Sequence, residues 1–295
     1  MKSLAFRGLR KLKTILEMIK FEHTVFALPF ALISMVLAAD GLPEGRVIFW
    51  ILVAMVGARS SAMAFNRIAD ITYDRLNPRT ADRALPRGVL TLSEVWLFTL
   101  FSAAAFVFAA YMLNPLAFAL SPVALIVILG YSYTKRFTSL THLVLGLALG
   151  IAPVGAWIAV RGQFNLAPIV LSAAVMFWTA GFDIIYALQD IEFDRAQGLF
   201  SIPRFLGIRR SLMVSRLFHF AAITLLVVFG AVMSLGEAYY VGTAAAAALL
   251  IYEQSLVKPH DISKVNIAFF NTNGLVSIGL LIFTVLDLLI RKGML

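Results

Sequence analysis

The chain contains no cysteine, which excludes disulfides, thiolate metal sites and a thiol nucleophile. Charge is also scarce: Asp, Glu, Lys and Arg make up only 14% of its 295 residues, and 16 residues are acidic. No glycine-rich loop of the dinucleotide or P-loop kind occurs. No run of Lys or Arg is interleaved with aromatics on a polar stretch, so nucleic acid is not an expected partner. The start does not have the form of a cleavable signal peptide.

What the chain has in abundance is apolar surface, with 61% of residues hydrophobic. Nine apolar runs, near 21–39, 47–65, 93–113, 115–133, 141–160, 165–185, 212–233, 237–254 and 268–290, are each long enough to cross about 30 Å of hydrocarbon. The fold class expected is an all-α integral membrane protein of nine transmembrane helices. Residues 1–20 precede them as an amphipathic interfacial helix, with Leu9, Leu12, Leu16 and Ile19 on one face and Arg7, Arg10, Lys11, Lys13 and Lys20 supplying charge. Residues 21–295 leave no room for a separate soluble domain.

Net charge is +9, and 20 of the 25 Lys and Arg fall at the N-terminus or in the loops after spans two, four, six and eight. By the positive-inside rule the N-terminus and those loops face the cytoplasm, in a cytoplasmic (inner) membrane. An odd span count leaves Arg291 and Lys292 on the other side. The basic balance then reflects topology and anionic lipid.

Two acidic stretches interrupt this apolar background. Asn66, Asp70 and Asp74 close span two, and Tyr186, Asp190 and Asp194 close span six. Carboxylates four residues apart share one face of a helix. At a membrane boundary they are costly unless paired or holding a cation. Asn77-Pro78 breaks the helix after the first pair, and Arg79 and Arg83 stand where two guanidinium forks can meet phosphate oxygens. The second pair is followed by similar turn chemistry, so the two modules read as a loose internal duplication.

Asp70 and Asp74, with the amide oxygen of Asn66, suit one hard divalent ion, and Asp190 and Asp194 suit a second. Neither motif has His or Cys, which argues against zinc or copper. Ions so held would neutralise a diphosphate leaving group. The alternative is that the acids only pair with their neighbours Arg67, Arg75 and Arg195.

The ordered set Asn66-x3-Asp70-x3-Asp74, Asn77-Pro78-Arg79-Thr80-x2-Arg83-x-Leu85-Pro86-x-Gly88, Tyr131-x-Tyr133-x-Lys135-Arg136 and Tyr186-x2-Gln189-Asp190-x3-Asp194-x3-Gly198-x2-Ser201-x-Pro203 resembles the UbiA superfamily of intramembrane polyprenyltransferases. The resemblance runs over almost the whole chain, from His23 to Asn273. It implies a nine-helix bundle around a central cavity that opens to lipid and is capped on the cytoplasmic side. It implies Mg2+-dependent transfer from an allylic diphosphate, with Asn66, Asp70, Asp74, Asp190 and Asp194 holding the metal–diphosphate assembly. Lys135, Arg79 and Arg83 would meet phosphate oxygens, with Tyr131 and Tyr186 also at the substrate.

Arg59 lies seven residues before Asn66, two turns deeper on roughly the same face, and Asp183 mirrors it before Asp190. They suit either a structural ion pair or an acceptor site, Arg59 taking the carboxylate of an aromatic hydroxy acid and Asp183 orienting or deprotonating the acceptor. His23 reads as an interfacial residue and His219 as a packing histidine. Asn271 and Asn273 read as interhelical hydrogen-bonding groups, and Gly146, Gly150 and Gly155 as sites of close helix contact.

The expected substrates are a polyprenyl diphosphate and 4-hydroxybenzoate, on the way to ubiquinone. A dihydroxynaphthoate of menaquinone synthesis is the alternative, on the stretches 23–29 and 182–186. A cation-coupled transporter is the reading from another class, but it would need its acids near the midplane. No obligate protein partner is expected.

Overall fold

The computed structural model describes residues 11, 13–19 and 26–295. Among these the secondary structure is helical, with a single isolated β-bridge between Lys258 and Asp261. The order is α1 (Leu28–Ala39), α2 (Gly45–Ala69), α3 (Ile71–Leu76), α4 (Leu92–Leu113), α5 (Pro115–Thr134), α6 (Thr141–Arg161) and α7 (Leu166–Ala187). A 3-10 turn (Leu188–Asp190) leads to α8 (Ile191–Ala196), α9 (Ile202–Val232) and α10 (Glu237–Leu256). A helical turn at Val265–Ile267 and a π-helical turn at Ala268–Thr272 then run into α11 (Asn273–Arg291).

Seven helical segments are long and apolar enough to cross a membrane. They begin at Gly45, Leu92, Pro115, Thr141, Leu166, Ile202 and Val265. The other two expected spans contain the helices α1 and α10 among the described residues. Helix α1 has only 12 residues, and α10 carries Glu253 and Gln254 in its last turns. Polar caps set where several helices begin. Thr91 and Glu94 form a capping box at α4, while Asn114, Asn165 and Ser201 each accept a backbone N–H at the starts of α5, α7 and α9.

Helix α2 packs along α4, α6 along α7, and α7 along α9, with α10 against α11. Gly146 and Gly150 bring α6 directly onto the backbone of α7 at Met176 and Ser172, as expected. Gly155 does otherwise: nothing lies within 4 Å of where its Cβ would stand, and it lines a cavity. An aromatic core joins α1, α7 and the π-turn, in which Phe26, Phe30, Trp178, Phe182 and Phe269 pack edge-on or tilted.

One expectation needs correction. The stretch 202–211, read as loop, is helical, because Ser201 caps it and Pro203 occupies its first turn. A break at Gly207 (φ 70°, ψ 174°) then re-aims the rest of α9. The Asn273 amide donates to the carbonyls of Ala268 and Phe269, which the π-turn releases, and the same side chain meets the buried Glu253 of α10 across the helix interface, as expected. Of the N-terminal stretch, residues 13–18 are helical, and Met18 and Ile19 are buried against Ala64, Leu85 and Leu90. Leu9, Leu12, Arg7, Arg10, Lys20 and His23 lie outside the described residues.

Candidate active site

The two acidic motifs are built on matching breaks. Asp70 follows α2 with φ −95° and ψ 5°, and Asp190 ends the 3-10 turn after α7 with φ −105° and ψ 5°. Each is followed by a six-residue helix, α3 or α8. The paired acids therefore do not ride one uninterrupted helix, as the spacing alone suggests. The four-residue link persists in the first motif, where the Asp74 N–H donates to the Asp70 carbonyl at 2.7 Å.

The cations that meet these acids are not the sequence neighbours. Arg79 grips Asp190 with two donors, at 3.1 and 2.6 Å, and Asn77 adds a third bond at 3.1 Å. Arg83 reaches both oxygens of Asp74 at 2.7 and 2.9 Å. The Lys135 ammonium is 2.7 Å from Asp194, which also accepts from Ser201 at 2.8 Å. Arg67 instead contacts Asn66 and the Met18 carbonyl, and Arg195 pairs with Glu192. The first loop thus reaches across to the second motif, so the modules are interlocked.

Asp70 is the exception. It accepts one bond from Asn66 at 2.9 Å, and its nearest cation, Arg136, is 4.0 Å away. Burial first, and the adjacent Asp74 charge second, push its carboxyl up to about 6, with Arg67 and Arg136 pulling the other way. This is what a carboxylate short of positive charge does, and a bound cation would reverse it.

Asp70, Asp74, Asn77, Arg79, Arg83, Lys135, Tyr186 and Asp190 line one polar chamber of about 460 Å³ together with Asn66, Arg59, Tyr131 and Asp183. Asp194 does not reach its wall: it is fully buried beneath Lys135. Arg79 donates to the Tyr186 hydroxyl at 2.9 Å, and Tyr186 stacks on Phe269 of the π-turn, 4.3 Å between ring centres. The donors available to a metal are carboxylates and an amide, hard oxygen ligands that fit Mg2+. Among the described residues no three His, Asp or Glu side chains close into a ready-made cage. Such pairs suit an ion that completes its shell with water and phosphate. The walls carry six Arg and Lys against four Asp, an excess of positive charge that favours a polyanion.

An almost wholly apolar cavity of about 240 Å³ abuts the chamber, lined by residues of α2, α4, α5 and α6. Arg59, Met63, Tyr131, Leu145 and Leu149 belong to the walls of both. Asp183, set beside Arg59 by the sequence reading, bonds His142, 2.7 Å from Nδ1 to Oδ2. His142 was not singled out in the sequence, and Asn77 and Arg136 stood there as members of motifs without a role at the site. The one available signal was position, since His142 opens span five only seven residues after Lys135. His219 is a packing histidine, its ring against Gly181 and its Nδ1 3.1 Å from Gln254.

The structure sets a cation-rich, carboxylate-bearing chamber against an apolar pocket, an arrangement that suits a ligand with a polyanionic head and an apolar tail. Residues 27–275 match the UbiA prenyltransferase family, and the chain belongs to that family. It is a prenyltransferase. It is 33% identical over 241 residues to the 4-hydroxybenzoate octaprenyltransferase of Vibrio cholerae, covering 81% of this chain and 84% of that one. The Photobacterium profundum protein of the same description is 29% identical over 280 residues, covering 94% and 96% of the two chains. Among solved structures, the UbiA homolog from Aeropyrum pernix K1 superposes with TM-score 0.79 at 35% identity, covering 93% of this chain and 98% of that one. A UbiA homolog from Archaeoglobus fulgidus bound to DMAPP and Mg2+ shares the fold, with TM-score 0.72 at 19% identity over 93% and 99% of the two chains.

Proposed function

We propose that this chain transfers a polyprenyl group from an allylic polyprenyl diphosphate to the ring of 4-hydroxybenzoate, with Mg2+, in ubiquinone biosynthesis. The observation that carries the reading is the shared wall between chamber and apolar cavity, with Arg59 on it. A carboxylate held there would place an aromatic ring between the diphosphate site and the prenyl tail. The names of the Vibrio and Photobacterium relatives support this acceptor, and the ligands of the Archaeoglobus homolog support the metal.

Asp70, Asp74 and Asp190, with Asn66 and with Asp194 from behind, are the groups that would hold Mg2+. When bound, the metal neutralises the diphosphate and improves it as a leaving group. Arg79, Arg83 and Lys135 then have two employments: to pair the carboxylates when the chamber is without substrate, and to turn toward phosphate oxygens when it is filled. Tyr186 and Tyr131 stand on the chamber wall, where an aromatic face would stabilise the allylic carbon as it gains positive charge on ionisation of the C–O bond. The apolar cavity keeps water from that carbon. Arg59 orients the acceptor by its carboxylate, and Asp183 takes the phenolic proton.

In the bilayer, residues 21–295 act as one unit of nine spans, α1 and α10 included. The N-terminus and the chamber face the cytoplasm of the inner membrane, as the distribution of Lys and Arg favours. The test is release of pyrophosphate by detergent-solubilised protein given polyprenyl diphosphate, Mg2+ and a panel of aromatic acids. Prenylation of 4-hydroxybenzoate ahead of a dihydroxynaphthoate supports the reading. The reverse order moves the protein to menaquinone synthesis, and no transfer to any acid removes the proposal.

A further inference from the structure

His142 occupies the second position of α6, is 2% exposed, and reaches the chamber wall. Its Nε2 lies 3.4 Å from the backbone N–H of Ile202, the first residue of α9. An amide N–H can only donate, so Nε2 accepts and the ring proton sits on Nδ1, whence it is donated to Asp183 Oδ2 at 2.7 Å. The ring therefore ties three helices together at one carboxylate. Thr141, beside it, is joined to Thr134 at 2.8 Å, which fixes α6 to the end of α5. Asp183 is about one-fifth exposed to the chamber, and its second oxygen has no bonded partner among the described residues.

We propose that His142 is a positioning residue for prenyl transfer. It holds Asp183 through Oδ2 so that Oδ1 faces the phenolic hydroxyl of the acceptor, an assignment that rests on the acceptor reading given above. As the ring carbon ortho to the hydroxyl forms its bond to the allylic carbon, the phenolic proton passes to Asp183 Oδ1. The electron pair of the breaking C–O bond leaves with the diphosphate. The ring proton at the new bond is then lost to water, and the oxygen recovers its proton from Asp183. A carboxylate free to rotate would perform the first transfer less often, with no change in how the diphosphate is bound.

The experiment compares wild type, His142→Asn and His142→Phe on 4-hydroxybenzoates of graded phenol acidity, made by ring fluorination. An asparagine amide can replace the Nδ1–H donor, whereas phenylalanine fills the space without donating. His142→Phe should lower kcat by about ten- to a hundredfold on the least acidic phenol. That loss should shrink steadily as the phenol becomes more acidic, with KM for the polyprenyl diphosphate unchanged. His142→Asn should recover most of the activity. A loss equal for all acceptors, or none, overturns the proposal while leaving the prenyl-transfer reading intact, and a wild-type protein that prenylates no hydroxy acid overturns the reading itself. Nitrogen-15 shifts of His142 in the wild-type protein give an answer independent of any variant: an Nδ1–H neutral ring is expected, and an Nε2–H or charged ring refutes it.

Discussion

The two acidic modules share a backbone and differ in how their charges are met. Both place their first aspartate at a break with nearly the same torsions, and both follow it with a six-residue helix. Yet Asp190 receives a bidentate guanidinium and an amide, whereas Asp70 receives one amide and a distant arginine. Asp190 of the second module is fully paired within the protein. The first is left open at one carboxylate, which makes Asp70 the group on which an incoming cation has the most to act. The two breaks share a local geometry, and what the opposite loop supplies sets them apart.

The comparison breaks most visibly at the aspartates. Asp70→Ala should lower kcat/KM by about a thousandfold or more, roughly 4 kcal/mol, in a protein that stays folded. Asp194→Ala should likewise abolish transfer. Asp190→Ala should also fail in catalysis, but it releases Arg79, so its binding of polyprenyl diphosphate in EDTA should exceed that of Asp70→Ala. Equal metal-free binding by the two variants would erase the distinction between the modules.

Arg59→Ala is next in size. Losing a charge-assisted contact to a carboxylate costs about 2–4 kcal/mol, or roughly 30- to 1000-fold in acceptor kcat/KM, with diphosphate binding nearly intact. Arg59→Lys should recover little, because an ammonium lacks the planar fork. Wild-type turnover of an uncharged phenol as fast as the matching acid would count against the role.

Lys135→Ala should raise donor KM or slow ionisation about ten- to a hundredfold without changing acceptor preference. It also strands the buried Asp194, so the variant should melt earlier. Adding Asp194→Asn should restore the melting temperature and leave donor binding impaired, which separates the two employments of the lysine.

The smallest effect concerns pH. With its carboxyl at about 6, Asp70 is neutral below that pH and charged above it. A cation must then displace a proton at low pH, so apparent Mg2+ affinity should fall about tenfold per unit below pH 6 and level off above it. Metal titration of the ligand-free protein at pH 5, 6 and 7 measures this, and Asp70→Asn should abolish that dependence.

Seven of the nine spans and the acid pairs were legible because they are local: an apolar run, a four-residue spacing, an Asn-Pro break. The partners of the acids were not, since Arg79 and Asp190 meet only through tertiary packing and nothing in sequence separation marks them. The same holds for His142, whose role depends on α7 and α9 arriving beside it. The helix over 202–211 was hidden for a different reason: Pro203 and Gly207 read as turn chemistry, although proline is at home in a first helical turn. Gly155 was read as a contact when its missing side chain leaves space for the cavity.

The π-turn at Ala268–Thr272 is in effect a one-residue insertion that the helix has absorbed without changing its neighbours. Deleting one residue there would restore ordinary α-helical phase and rotate everything before it by about 100° relative to α11. Phe269 would swing off Tyr186, and Arg79 would lose the ring that backs its hydroxyl partner. Chain length in this segment is therefore a determinant of the chamber in its own right. Among relatives, a gap of one position here would mark a differently shaped substrate pocket even where every acidic residue is retained.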